Sequence, residues 1–119
     1  MAALQKTLLA DEEQRLQEIK NFIDKNFQED LNVGSLAKRF SYSKNTLKRH
    51  FLANFSKSIT YYIHTLRMNA AMQLLLDHKI GISQIGSAVG YKDRTSFTKA
   101  FTKFFNHPPI FFCKDDVNI

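Results

Sequence analysis

The chain repeats itself, and the repeat limits what it can fold into. Residues 35–51 and 84–101 carry the same order of apolar and small residues. Leu36 corresponds to Ile85 and Tyr42 to Tyr91, both 49 residues apart. Leu47 and Phe97, Phe51 and Phe101, Phe55 and Phe105, and Tyr62 and Phe112 then follow at 50. The second copy therefore carries one extra residue just after its turn. Each copy reads as a short helix with small residues, a polar turn of three or four residues, and a helix that is basic on one side. That is the sequence form of a helix-turn-helix, whose second helix enters the DNA major groove. The competing reading is two helical hairpins of a generic bundle; two copies in one apolar register favour the former.

The rest of the chain reads as support for these copies. Residues 1–10 form no clear element and read as a linker or a disordered stretch. Asp11 is the expected N-cap of a helix running to about Gln28, with Leu16, Ile19, Ile23 and Phe27 as its buried stripe. The first lobe, residues 11–57, continues with Asn32 capping a helix from Val33 to Phe40. Ser43 then caps a helix from Lys44 to Asn54. On that helix Leu47, His50, Phe51 and Phe55 face inward; Asn45, Lys48, Arg49 and Leu52 face outward. Residues 58–78 form a linker helix, capped by Ser58 and running from Ile59 to about Asp77. Twenty residues at about 1.5 Å each span about 30 Å, close to one turn of DNA, although a core helix of a single bundle fits the same pattern. The second lobe, residues 79–114, starts its hairpin near Ile82. Gly90 supplies the left-handed turn residue that Ser41 must provide in the first copy. Asp93 caps a helix from Arg94 to Phe105, Pro108-Pro109 opens a last apolar turn, and residues 115–119 form a tail.

Charge is segregated along this framework. Residues 1–30 hold 4 basic and 7 acidic side chains. Residues 31–114 hold 13 basic side chains against Asp77 and Asp93 alone, and the formal net charge is +6. A basic middle between acidic ends is the footprint of a polyanion binder; a basic face kept for solubility is the competing reading. Charge by itself does not separate DNA, RNA and an anionic membrane, and the repeated motif selects DNA. The hydrophobic fraction of 44% is too high for a disordered chain. Its aromatic residues include 11 Phe and no Trp, and Phe fills a small lobe without a polar atom to satisfy. The lone Cys113 closes no internal disulfide, and the start lacks a secretory leader's apolar stretch. With no apolar run of membrane-spanning length, a cytoplasmic, nucleoid-associated protein is expected.

With those residues in view, the chain resembles the DNA-binding domain of the AraC/XylS family of bacterial transcription regulators. The resemblance covers about residues 11–113. It is carried by Leu36-Ala37, Ser43, Leu47, Arg49, Phe51, Tyr62-Ile63, Leu66-Arg67, Ala71 and Leu74-Leu75. It continues through Ile82-Ser83-Gln84-Ile85, Val89-Gly90-Tyr91, Asp93, Phe97, Phe101, Phe105 and Pro109. The resemblance implies an all-α, homeodomain-like fold of two helix-turn-helix lobes joined by a long linker helix, with the reading helices in successive major-groove segments. By position it implies Asn45, Lys48 and Arg49 as base readers in the first lobe, and Arg94, Thr95, Ser96 and Lys99 in the second. Ser56 and Asn106 stand where the family usually has Gly, Gly86 where Ala is usual, and Cys113 where a terminal Arg is usual. No backbone contact by that Arg carries over.

The chemistry of these side chains is concrete. Arg49 and Arg94 can each bond guanine O6 and N7, and Asn45 can do the same to adenine. Lys48 and Lys99 reach bases or phosphates, with phosphate the better match for a flexible point charge. Ser35, Lys38, Lys57, Lys92 and Lys103 are the candidates for backbone contacts that set register. No cofactor or metal is expected. His50 lies on an apolar helix face and reads as a satisfied core residue, and His64, His78 and His107 lack ligand spacing with one another or with Cys113. There is no phosphate loop and no nucleophile motif, so the chain reads as non-enzymatic. Double-stranded DNA is the expected partner, with RNA polymerase the protein that such a domain recruits or positions and any effector domain outside this chain. A non-specific or architectural nucleic-acid binder and a basic helical protein-interaction module stay open as alternatives.

Overall fold

The computed structural model describes the backbone of residues 2–113 and the side chains of residues 10–113; the expected tail lies outside the described residues. Six α-helices follow one another: α1 (Ala2–Asn26), α2 (Val33–Arg39), α3 (Lys44–Phe55), α4 (Ile59–Asp77), α5 (Ile82–Ala88) and α6 (Arg94–Phe105). A 3-10 turn over Pro109–Cys113 closes them, and no strand occurs among the described residues. Two compact units result. One joins the chain up to Asn26 with Leu31–Ile63; the other joins Phe27–Asp30 with the chain from His64 onward. Helix α4 thus passes from one unit to the other between Ile63 and His64, whereas the sequence reading set residues 58–78 apart as a linker.

Helix α1 starts at Ala2, well ahead of the expected start after Asp11. The segment reading Ala-Ala-Leu-Gln-Lys contains strong helix formers and no Gly or Pro, so Asp11 sits inside the helix rather than capping it. Leu16, Ile19 and Ile23 are buried as their spacing requires. Phe27 lies beyond the helix end and belongs to the second unit, not to the first stripe.

The first unit buries Leu16, Ile19, Ile23, Leu36, Ala37, Leu47, Phe51, Ile59 and Ile63. The second is built on Met68, Ala71, Leu75, Ile85, Val89, Phe97 and Phe101, with Phe104, Phe105 and Phe112 packed against them. Because α4 serves two cores, its apolar residues fill more than one stripe. Tyr62, Leu66, Ala70 and Leu74 are half-buried along it.

The two hairpins repeat helix for helix. Helices α2 and α5 each have 7 residues, and α3 and α6 each have 12. The amide of Tyr42 donates to the Ala37 carbonyl at 2.8 Å, and that of Tyr91 to the Gly86 carbonyl at 2.9 Å. Ser56 and Asn106 both close their helices in the left-handed conformation, with φ of 60° and 66°. Ser41 holds φ 61° where Gly90 holds 111°. The one-residue offset is absorbed between Tyr91 and Asp93, at Lys92, without disturbing either helix.

Side-chain volume differs where backbone does not. A Cβ on Gly86 would lie 2.9 Å from Cβ and Cγ of Phe97, closer than packed carbons approach. The equivalent pair in the first copy is Ala37 and Leu47, both buried. Gly86 therefore leaves room for the stem of Phe97 that a methyl group would fill, at the position where the first copy holds Ala37.

Candidate nucleic-acid interface

Each candidate reading helix is started by a side-chain cap. On α3, Ser43 Oγ accepts from the Thr46 amide at 3.2 Å and donates to Thr46 Oγ1 at 2.8 Å. On α6, Asp93 Oδ1 accepts from the Ser96 amide at 2.7 Å, and Oδ2 accepts from Ser96 Oγ at 3.1 Å. The bond from the Ser96 amide, joined by that from its hydroxyl, holds the Asp93 carboxyl below its ordinary pKa. The side carrying Phe51 or Phe101 is sealed in its core, both at 0% exposure. The opposite side of each helix is thereby fixed outward.

That outward side carries the residues expected there. Asn45, Lys48 and Arg49 are exposed along α3 at i, i+3 and i+4; Arg94, Thr95, Ser96 and Lys99 are exposed along α6. Lys38, Lys57, Lys92 and Lys103 are exposed as well. Two serines are already engaged. Ser35 Oγ accepts from the Asn32 amide at 3.1 Å and donates to its carbonyl at 3.0 Å, forming a capping box with the Asn32 side chain. The Ser96 hydroxyl is turned back onto Asp93.

The five arginines divide sharply. Arg15 donates to the Phe40 carbonyl at 3.0 Å and lies 4.6 Å over the Tyr42 ring. Arg39 lies 4.3 Å over the Phe22 ring. Arg67 donates from Nε to the Phe27 carbonyl at 2.8 Å and from Nη2 to the Glu29 carbonyl at 2.9 Å. Gly90 is required beside that clamp, since a Cβ there would lie 2.9 Å from Arg67 Nε. Arg49 and Arg94 alone stand exposed without a protein partner among the described residues. They are the two guanidinium forks left free to meet a base edge or a phosphate.

Two residues passed over in the sequence reading have roles here. Lys44 is the equivalent of Arg94 in the 50-residue register, and its stem lies against Gly34, where a Cβ would meet Cε at 3.0 Å. The register itself was the signal. Glu12 on α1 holds His50 on α3: Oε1 lies 2.6 Å from His50 Nδ1 and accepts from the Tyr42 hydroxyl at 3.0 Å. Burial opposes the Glu12 charge, but these two bonds outweigh it and its pKa is lowered. His50 is thus satisfied by protein. No three His, Cys, Asp or Glu side chains converge on a metal site among the described residues.

The sequence profile of a helix-turn-helix domain family matches residues 36–114. The chain is 32% identical to the Msm operon regulatory protein of Streptococcus mutans over 85% of its own length and 36% of the relative's. It is 37% identical to the lactose operon transcription activator of Staphylococcus xylosus over 76% of its length and 32% of the relative's. A crystal structure of a transcriptional regulator with an AraC-type DNA-binding domain, from Chromobacterium violaceum, superposes with a TM-score of 0.72 at 28% identity. It covers 87% of this chain and 92% of that one. The chain spans about a third of the length of the curated relatives it matches.

Paired hairpins, sealed inner faces and these matches define a helix-turn-helix DNA-binding domain. The chain belongs to the AraC/XylS family. No described helix is long and apolar enough to cross a membrane.

Proposed function

We propose that this chain recognises a specific duplex site by placing α3 and α6 in two successive major-groove segments. The observation that carries this reading is the pair of matching hairpins, each presenting one unpartnered arginine on a helix whose other side is sealed. Arg49 and Arg94 read guanine, Asn45 reads adenine, and Thr95 and Ser96 add shorter contacts. Lys48 and Lys99 lie where base or phosphate is in reach, and Lys38, Lys57, Lys92 and Lys103 hold the phosphates. Ser35 bonds a phosphate only if its capping box yields. In the cell the domain acts in the cytoplasm on the nucleoid and positions RNA polymerase, with any effector domain outside this chain.

Selection of bound sequences from random duplex DNA, on wild type and single variants, tests this. Arg49→Ala and Arg94→Ala are each expected to cost about 1–3 kcal/mol on the preferred site and to relax one or two base pairs. Lys38→Ala weakens all sequences alike. If about 6–10 phosphates are neutralised, affinity falls roughly 10³–10⁵-fold between about 50 and 200 mM salt. A flat salt titration, or uniform loss for both arginine variants, would sink base reading by these residues.

A further inference from the structure

We propose that Leu52 is a specificity-determining residue that reads the 5-methyl group of a thymine in the major groove. This rests on α3 being a reading helix, as proposed above. Asn45, Lys48, Arg49 and Leu52 fall at i, i+3, i+4 and i+7 and form one stripe on α3. All four are exposed, Leu52 by 51%. Within that stripe Leu52 is the one side chain that cannot donate or accept a hydrogen bond. It shares a shallow, mainly apolar hollow of about 220 Å³ with Lys48, Val33, Ser58, Ile59 and Thr60.

A single exposed leucine needs no explanation by itself. The surroundings of this one do set it apart. Lys48 stands one turn before it on the same stripe, Arg49 beside that, and the exposed Lys57 follows the helix. Of the apolar side chains that line the hollow, Val33 is half-buried and Ile59 buried, so Leu52 is the one that stands exposed. One exposed aliphatic group beside cations suits a polyanion that carries an occasional apolar group, and major-groove DNA carries one, the thymine C5 methyl. Leucine cannot distinguish base edges by hydrogen bonding, so the methyl is the one groove feature it can select. In the second copy the equivalent position is Thr102, half-buried, so this reading is confined to α3.

Uracil scanning of the preferred duplex site, with the whole 119-residue chain, tests the proposal. Each thymine is replaced singly by uracil, which removes the methyl and leaves every hydrogen-bonding group in place. Wild type is expected to lose about fourfold in affinity at one thymine, the worth of one buried methyl. Leu52→Ala is expected to bind the thymine and uracil versions of that site equally. Leu52→Lys should also lose the methyl sensitivity. Both variants alter an exposed helical position and should melt with wild type. A flat scan on a tightly and specifically bound site overturns the proposal and leaves Leu52 to a protein partner. A thymine sensitivity that persists in both variants overturns it too. Failure to recover any preferred site would instead overturn the proposed function, and this inference with it.

Discussion

The first hairpin packs Leu47 opposite Ala37, and the second packs Phe97 opposite Gly86. Their helix lengths, turn hydrogen bonds and left-handed closing residues nevertheless coincide. The comparison teaches that backbone geometry is the quantity held constant, while volume is exchanged across the crossing of the two helices. It also separates the caps. The first copy starts its second helix with a neutral hydroxyl, Ser43, and the second with a carboxylate, Asp93.

The largest expected effects test whether the two copies are equivalent at their centres. Phe51→Ala and Phe101→Ala should each cost about 3–5 kcal/mol, because both rings are wholly buried beneath a reading helix. Thermal melts that differ greatly between them would break the equivalence. Gly86→Ala should destabilise by about 1–2 kcal/mol, since overpacking outweighs the gain in helix propensity. The loss should persist in a Phe97→Leu background, because leucine keeps the Cβ and Cγ that the new methyl would meet. A double-mutant cycle in which Phe97→Leu turns Gly86→Ala stabilising would refute a clash with the stem of Phe97.

The caps come next. Ser43→Ala should cost about 0.5–2 kcal/mol at every pH, whereas the Asp93 cap should weaken in acid as its carboxylate protonates. Chemical denaturation of wild type and Ser43→Ala at pH 7 and in acid reads both.

The smallest effect separates the units by pH. His64 Nδ1 lies 3.0 Å from the Tyr91 hydroxyl, and its ring meets that of Phe104 edge-on. Burial, with help from Arg67 and Lys103, lowers its pKa below the ordinary 6.5. Between that lowered value and 6.5 the unfolded chain binds more protons, so the second unit's stability is full above 6.5 and declines below it. In the first unit the lowered Glu12 pKa gives a loss only further into acid, as pH falls below the ordinary 4.5. Residue-resolved hydrogen exchange should therefore show the second unit opening first on acidification, and His64→Gln should remove that early loss.

Much of this architecture was legible in the sequence because helix caps and apolar spacing are local signals. Asn32, Ser43 and Asp93 marked helix starts that the structure places at the next residue. The start of α1 was missed, since an acidic cluster after Asp11 imitates a first turn even inside a longer helix. Phe27 was assigned to the wrong unit because periodicity cannot see that a helix has ended one residue earlier. The outward residues were legible from the inward ones, as Leu47 and Phe51 leave α3 no choice of orientation. What the spacing could not reveal were contacts between distant elements, such as Glu12 on His50 and Arg67 on the Phe27 and Glu29 carbonyls. Those depend on which helix faces meet.

Ser41 and Ser56 hold φ near +60°, a conformation that costs an L-residue roughly 1–2 kcal/mol. Both are exposed, and neither belongs to a core nor to an outward reading stripe. The first copy consequently carries untapped headroom for protein engineering. Glycine at these two positions would relieve strain in a turn and a helix end while leaving every outward side chain of α3 and α6 in place, so thermal tolerance and the proposed DNA contacts can be tuned as separate traits.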